Sequence, residues 1–77
     1  MKIRRLDPAY GDQVLELTPE QTTDLILEEK KQGRVGFVKF SDGQILEMMT
    51  RTGILEQIRE KEEVGATAAI IPIIAGG

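Results

Sequence analysis

The sequence predicts a small α+β domain with elements in the order ββαββ(α)β and a mixed sheet covered by one helix. Three observations lead there. Thr18-Pro19-Glu20-Gln21 is a helix start, short apolar runs of strand character flank it on both sides, and Asp42-Gly43 marks a reversal between two of those runs. Seventy-seven residues provide for one domain, taken here as residues 1–77 with a flexible tail over 73–77. A chain of this length buries a smaller fraction of its surface than a long one. With no Cys and no His it has neither a disulfide framework nor the usual ligands of a structural zinc, so packing or a partner must hold it together.

Met1 to Leu6 alternates around Ile3 and reads as a strand. Asp7-Pro8-Ala9-Tyr10-Gly11-Asp12 is a turn, because Pro fixes φ and Gly supplies positive φ where a chain reverses. Gln13 to Leu17 is strand-like again, which makes an N-terminal hairpin. Thr18 then stands at a helix N-cap, with Pro19 in the first turn, where its missing N–H costs nothing. Gln21 completes a capping box. The helix should run from Pro19 to Gln32 and bury Thr22, Leu25, Ile26 and the stem of Lys30, with Gly33 in the left-handed capping position. Arg34 to Phe40, the Ser41-Asp42-Gly43 turn and Gln44 to Met49 read as a second hairpin. Thr50 to Gly53 breaks the pattern. Ile54, Leu55 and Ile58 recur at helical spacing before Glu60-Lys61-Glu62-Glu63, a charged end read as solvated. Ala66 to Ile71 has the composition of a buried strand and stops at Pro72. In the expected sheet the first and last strands are adjacent and parallel at the centre. Leu25 and Ile26 face Leu15, Leu17, Phe37 or Ile70.

Ten basic and thirteen acidic residues give a net charge of −3 with both signs interspersed, a solubility surface. A nucleic-acid binder would be basic and carry aromatics for stacking, and this chain has only Tyr10, Phe37 and Phe40. No nucleic-acid partner is expected. The basic start Met1-Lys2-Ile3-Arg4-Arg5 precedes no apolar run and does not read as a signal peptide. The longest apolar stretch, Ala66 to Ala75, is too short to span a bilayer, so no membrane partner is expected and a cytoplasmic location is.

Without His and Cys the common nucleophile–base pairs are missing. Adjacent carboxylates at Glu28–Glu29 and Glu62–Glu63 point in different directions on a helix and cannot share a proton, so they read as solvated surface. Gly33-Arg34-Val35-Gly36 precedes a strand, whereas a phosphate cradle opens a helix. The expectation is a protein that is not an enzyme, needs no cofactor and acts by being bound.

Ile70-Ile71-Pro72-Ile73-Ile74-Ala75-Gly76-Gly77 passes from strand residues to residues with almost no side chain. Pro72 removes a ladder donor, so the tail should leave the sheet there. Ala75, Gly76 and Gly77 let another protein's backbone approach closely.

The tail Ile71 to Gly77 resembles the end of the ubiquitin-like sulfur carriers, such as the small subunit of molybdopterin synthase and the thiamine sulfur carrier. The first half is similar to ubiquitin in layout: a strand at Met1-Lys2-Ile3, a turn at Gly11, a second strand through Val14, Leu15 and Leu17, and a helix from Pro19 to near Gly33. The order of elements is that of a β-grasp domain. Two features depart from the family pattern: Glu63-Val64-Gly65-Ala66-Thr67 stands where a Gly-Asp turn is common, and Ile54 to Glu63 is longer than the usual middle section.

The resemblance implies that an ATP-dependent adenylating enzyme activates Gly77, after which sulfide or a thiol gives a thiocarboxylate or thioester for an acceptor protein. Gly77 would be the modified residue, and Ala75 and Gly76 would thread the enzyme's channel. An apolar sheet face would dock on that enzyme, though the sequence does not identify its residues. An alternative is a small structural or assembly protein, for instance of a bacteriophage virion or tail, in which Ala66 to Ala75 adds a strand to a neighbour's sheet. A small inhibitor of a host enzyme is a third.

Overall fold

The structure, a computed structural model, describes residues 1–7, 11–47 and 50–72. The expected flexible tail, 73–77, lies outside the described residues. Six elements follow in order: β1 (Lys2–Asp7), β2 (Gly11–Glu16), α1 (Pro19–Lys31), β3 (Phe37–Phe40), α2 (Arg51–Glu63) and β4 (Ala68–Ile71). The four strands form one mixed sheet in the order β2-β1-β4-β3.

β1 and β2 make the N-terminal hairpin, with Ile3 opposite Leu15 and Arg4 opposite Val14. β4 lies parallel to β1, pairing Ile3 with Ala68 and Arg5 with Ile70, as expected for the first and last strands. β3 closes the other side antiparallel to β4, with Val38 opposite Ile70 and Phe40 opposite Ala68. Residues on one face of a strand recur every second position. Ile3, Val38, Phe40, Ala68 and Ile70 therefore share one face, and all five are buried.

The capping box of α1 forms as its residues require: Gln21 N–H donates to Thr18 Oγ1 at 3.1 Å, and Thr18 N–H donates to Gln21 Oε1 at 3.0 Å. At the other end Gly33 takes a φ of 72°. This lets Gly33 N–H reach the Lys30 carbonyl at 3.0 Å and Arg34 N–H reach the Glu29 carbonyl at 2.9 Å. The helix buries Thr22, Thr23, Ile26 and Glu29. The two threonines fit in an apolar layer because their hydroxyls donate to the carbonyls of Thr18 (2.9 Å) and Pro19 (2.8 Å). Leu25 is half-buried against the core, and Lys30, exposed as a whole, lines a depression with Ile26, Val35, Leu46 and Ile54.

Five further expectations are corrected. Gln44 to Glu47 is not a strand. The Asp42-Gly43 turn forms, and Leu46 N–H donates to the Val38 carbonyl at 2.9 Å, yet only a single bridge between Lys39 and Ile45 results. Thr50 has to begin α2, which leaves the chain few residues in which to pair; Met48 and Met49 lie outside the described residues. β3 begins at Phe37 and not Arg34, because Arg34 N–H is taken by the helix cap.

Thr50 to Gly53 does end the strand-like run, but it already belongs to the helix, which begins at Arg51 and not at Ile54. Thr50 is an N-cap whose Oγ1 accepts from Gly53 N–H at 3.1 Å, and α2 extends over 13 residues. One helix therefore does not cover the sheet alone. Ile54 and Ile58 of α2 join Ile26 of α1 in the core, and ion pairs link the helices, Asp24 to Arg51 and Glu20 to Arg59. Finally, Phe37 does not face α1; it lies on the opposite face of the sheet from Val38 and Phe40 and is exposed.

Candidate docking face and tail root

With both helices on one side, the outer face of the sheet is left open among the described residues. Register places Arg4 at its centre, between Val14 of β2 and Ala69 of β4. Ala69 in turn pairs with Lys39, and Ile71 with Phe37. Val14 is 60 % exposed and Phe37 42 %. Leu6, Ala69 and Ile71 are half-buried. The result is an apolar strip interrupted by cationic side chains. Arg4 Nε donates to Asp12 Oδ2 at 3.0 Å, a contact that holds the guanidinium over the β1–β2 side of the face, while Lys39 is exposed. A shallow depression of about 460 Å³ runs along this face between Arg4, Lys39, Ala69 and Thr67.

The strip ends at the root of the tail. Gly36 N–H donates to the Ile71 carbonyl at 2.8 Å, one residue before β3 begins. Pro72 follows and has no N–H to continue the ladder. Gly77, Gly76 and Ala75, the residues singled out for activation and channel entry, lie outside the described residues.

Several titratable groups of the described residues are held in ion pairs and hydrogen bonds. Glu29, read as solvated from the sequence, is 4 % exposed and bridges two cations: Arg5 of β1 at 2.7 Å and Arg34 at 2.6 Å. Glu28 beside it is exposed, so the two carboxylates do point apart, though only one of them meets water. Lys61, also read as solvated, is buried. Its ammonium donates to Asp42 Oδ2 at 2.5 Å and to Gln44 Oε1, 5.5 Å from the centre of the Phe40 ring. That hydrogen bond, with another from Gln44 N–H, holds the Asp42 carboxyl below its ordinary range. The Glu20 carboxyl is lowered likewise, mainly by the hydrogen bond from Arg59. Glu62 Oε2 accepts from the Met1 amino nitrogen at 3.0 Å.

The outer-face residues were not identified from the sequence. The available signal was that Phe37-Val38-Lys39-Phe40 and Ala68-Ala69-Ile70-Ile71 do not alternate strictly, which marks strands with apolar side chains on both faces.

No protein family, no curated protein and no solved structure matches the chain. Among the described residues, no helix is long and apolar enough to cross a membrane.

Proposed function

We propose that this chain is a β-grasp carrier of the ubiquitin-like kind, the substrate of an adenylating enzyme and not itself a catalyst. The observation that carries the reading is the placement of β4: it lies parallel to β1 in the middle of the sheet, and its last ladder bond stands immediately before Pro72. A segment of five residues, Ile73 to Gly77, follows that root. Two further features support it. Among the described residues one sheet face is open and partly apolar, as docking on an enzyme requires, and Ala75, Gly76 and Gly77 are small enough for a narrow channel.

In this reading the outer strip around Val14, Ala69, Ile71 and Phe37 meets the activating enzyme in the cytoplasm. A Gly77 carboxylate oxygen attacks the α-phosphorus of ATP and pyrophosphate leaves. Sulfide or a thiolate then attacks the carbonyl carbon of the acyl-adenylate and AMP leaves, giving a thiocarboxylate or a thioester for an acceptor protein. Ala75 and Gly76 thread the channel and take no part in the bond changes.

The assembly alternative draws less support. β4 is paired with β1 over Ala68 to Ile70 and with β3 over Ala68 to Ile71, so these residues offer little ladder for a neighbour's sheet.

The test is to incubate the full chain with an adenylating enzyme from the same genome, ATP and a sulfur donor. The mass should rise by the difference between sulfur and oxygen, the change should map to Gly77, and deleting Gly77 should abolish it. If deletion leaves the biological activity intact, the chain acts through its surface and the carrier reading falls.

A further inference from the structure

Sheet register sets Arg4, Ala69 and Lys39 in one row across β1, β4 and β3 on the outer face, because Ala69 pairs with Arg4 on one side and with Lys39 on the other. Neighbouring strands lie about 4.8 Å apart, so the two cationic residues stand about 10 Å apart with only a methyl group between them. The small Ala69 side chain keeps the floor low, and the depression of about 460 Å³ opens over it, toward the end of β4 that begins at Ala68.

Unused hydrogen-bond donors surround this floor. Asp12 Oδ2 accepts from Nε and Nη2 of Arg4, which leaves the N–H groups of Nη1. Among the described residues no carboxylate pairs with Lys39, and both cations are exposed. Ser41 Oγ accepts from Thr67 N–H at 2.9 Å, which leaves its hydroxyl hydrogen to donate. Asp42 also lines the depression, but its two oxygens already accept from Lys61 Nζ and from Gln44 N–H. The depression therefore carries an excess of positive charge on a chain whose net charge is −3. Its flanks are apolar: Val14 stands opposite Arg4, and Phe37 lies two residues from Lys39 on the same face, both exposed. A free anion would leave those flanks wet, whereas a protein surface would cover them while presenting the anion.

We propose that this depression receives an aspartate or glutamate carboxylate of a partner protein, clamped between Arg4 Nη1 and Lys39 Nζ, with apolar side chains of the partner on Val14 and Phe37. Identifying that partner as the adenylating enzyme rests on the carrier reading; the clamp itself does not. Charge-assisted hydrogen bonds from two sides fix the register of docking. Salt weakens the contact, since both cations reach it from the surface.

The experiment titrates the full chain with the pentapeptide acetyl-Leu-Ala-Glu-Ala-Leu-amide and follows the amide resonances. The same peptide with Gln for Glu, sodium acetate and inorganic phosphate are the comparisons. The Glu peptide should move the resonances of Lys39, Ala69 and Thr67 and bind about threefold to tenfold more tightly than the Gln peptide. Acetate should bind more weakly still. Lys39→Met should remove most of the preference for Glu, and Lys39→Glu should reverse it in favour of a peptide with Lys at the centre. Should a Lys39 variant not fold, Arg4→Gln decides by the same loss of preference. Equal affinity for the Glu and Gln peptides, absent binding, or shifts confined to another surface overturn the proposal. So does acetate or phosphate binding as tightly as the peptide, which would mark a site for a free anion. Adenylation of the parent chain is measured separately. If it fails while the Glu peptide binds, the carrier reading falls and the clamp stands; if it proceeds while the peptide does not bind, the clamp falls alone.

Discussion

On the helix-covered face of the sheet, Ile3, Val38, Phe40, Ala68 and Ile70 are at most 3 % exposed, whereas on the other face Val14 and Phe37 stand 60 % and 42 % exposed. Both faces carry apolar residues from the same strands, and Phe37 and Phe40 are three positions apart on β3. The odd separation puts them on opposite sides of the sheet. One face is the core, because α1 and α2 supply Ile26, Ile54 and Ile58 to close it. The other has no covering element among the described residues. Hydrophobicity alone does not separate the two; parity along the strand and the side on which the helices pack do.

The largest test of this contrast is truncation of the two aromatic residues. Phe40→Ala should lower the free energy of unfolding by about 3–5 kcal/mol, since it removes a wholly buried ring from a small core. Phe37→Ala should cost less than about 1 kcal/mol in stability and, under the proposed carrier function, show its effect in binding to the adenylating enzyme. Urea unfolding measures both, and equal losses would mean that the outer face is also packed.

A second comparison sets Glu29 against Glu28. Glu29→Ala leaves Arg5 and Arg34 without their shared carboxylate and should destabilise by about 1–3 kcal/mol, discounted because Arg34 is largely exposed. Glu28→Ala should stay within about 0.5 kcal/mol. Thermal unfolding of the two single variants distinguishes them.

A smaller effect concerns the Lys61–Asp42 contact. The folded-state carboxyl of Asp42 lies below its ordinary 3.8, so the stabilisation is fully present above that value. It is lost as the pH falls through the lowered folded-state value. Lys61→Met should therefore be less stable than the parent near neutrality, and the gap should close in acid. A gap that persists undiminished in acid would assign the effect to packing of the lysine stem against Phe40. Smallest of all, Val14→Ser on the open face should change stability by no more than about 0.5 kcal/mol, and a larger loss in urea unfolding would show that the outer strip supports the fold.

Local signals were the legible part of the sequence. Thr18, Pro19 and Gln21 define the start of α1 by hydrogen bonds within four residues, and Gly33 defines its end, so both could be read without knowing the rest of the molecule. Thr50 gave the same kind of signal, but Gly53 beside it reads as a breaker when the helix that buries it is not known. The Gln44 to Met49 run has strand composition. Among its described residues Gln44, Ile45 and Leu46 find partners on β3, and the start of α2 sets how long the chain can stay beside the sheet.

By itself the sequence determined the α+β class, the N-terminal hairpin, the caps of α1, the want of His and Cys chemistry, and the apolar run that reaches Pro72. The reason is that caps, turns and strand patterning act over a few residues and carry their partners with them. Tertiary structure alone decided that α2 joins α1 over the core, that Glu29 and Lys61 are buried, and that Phe37 faces outward. It alone brought Gly36 against Pro72. Each of those outcomes depends on groups distant in the chain meeting at ångström separations. Arg5 reaches Glu29, Asp42 reaches Lys61, and the Gly36 backbone meets the Ile71 and Pro72 carbonyls, pairings that strand order and helix packing set and that spacing along the chain does not encode.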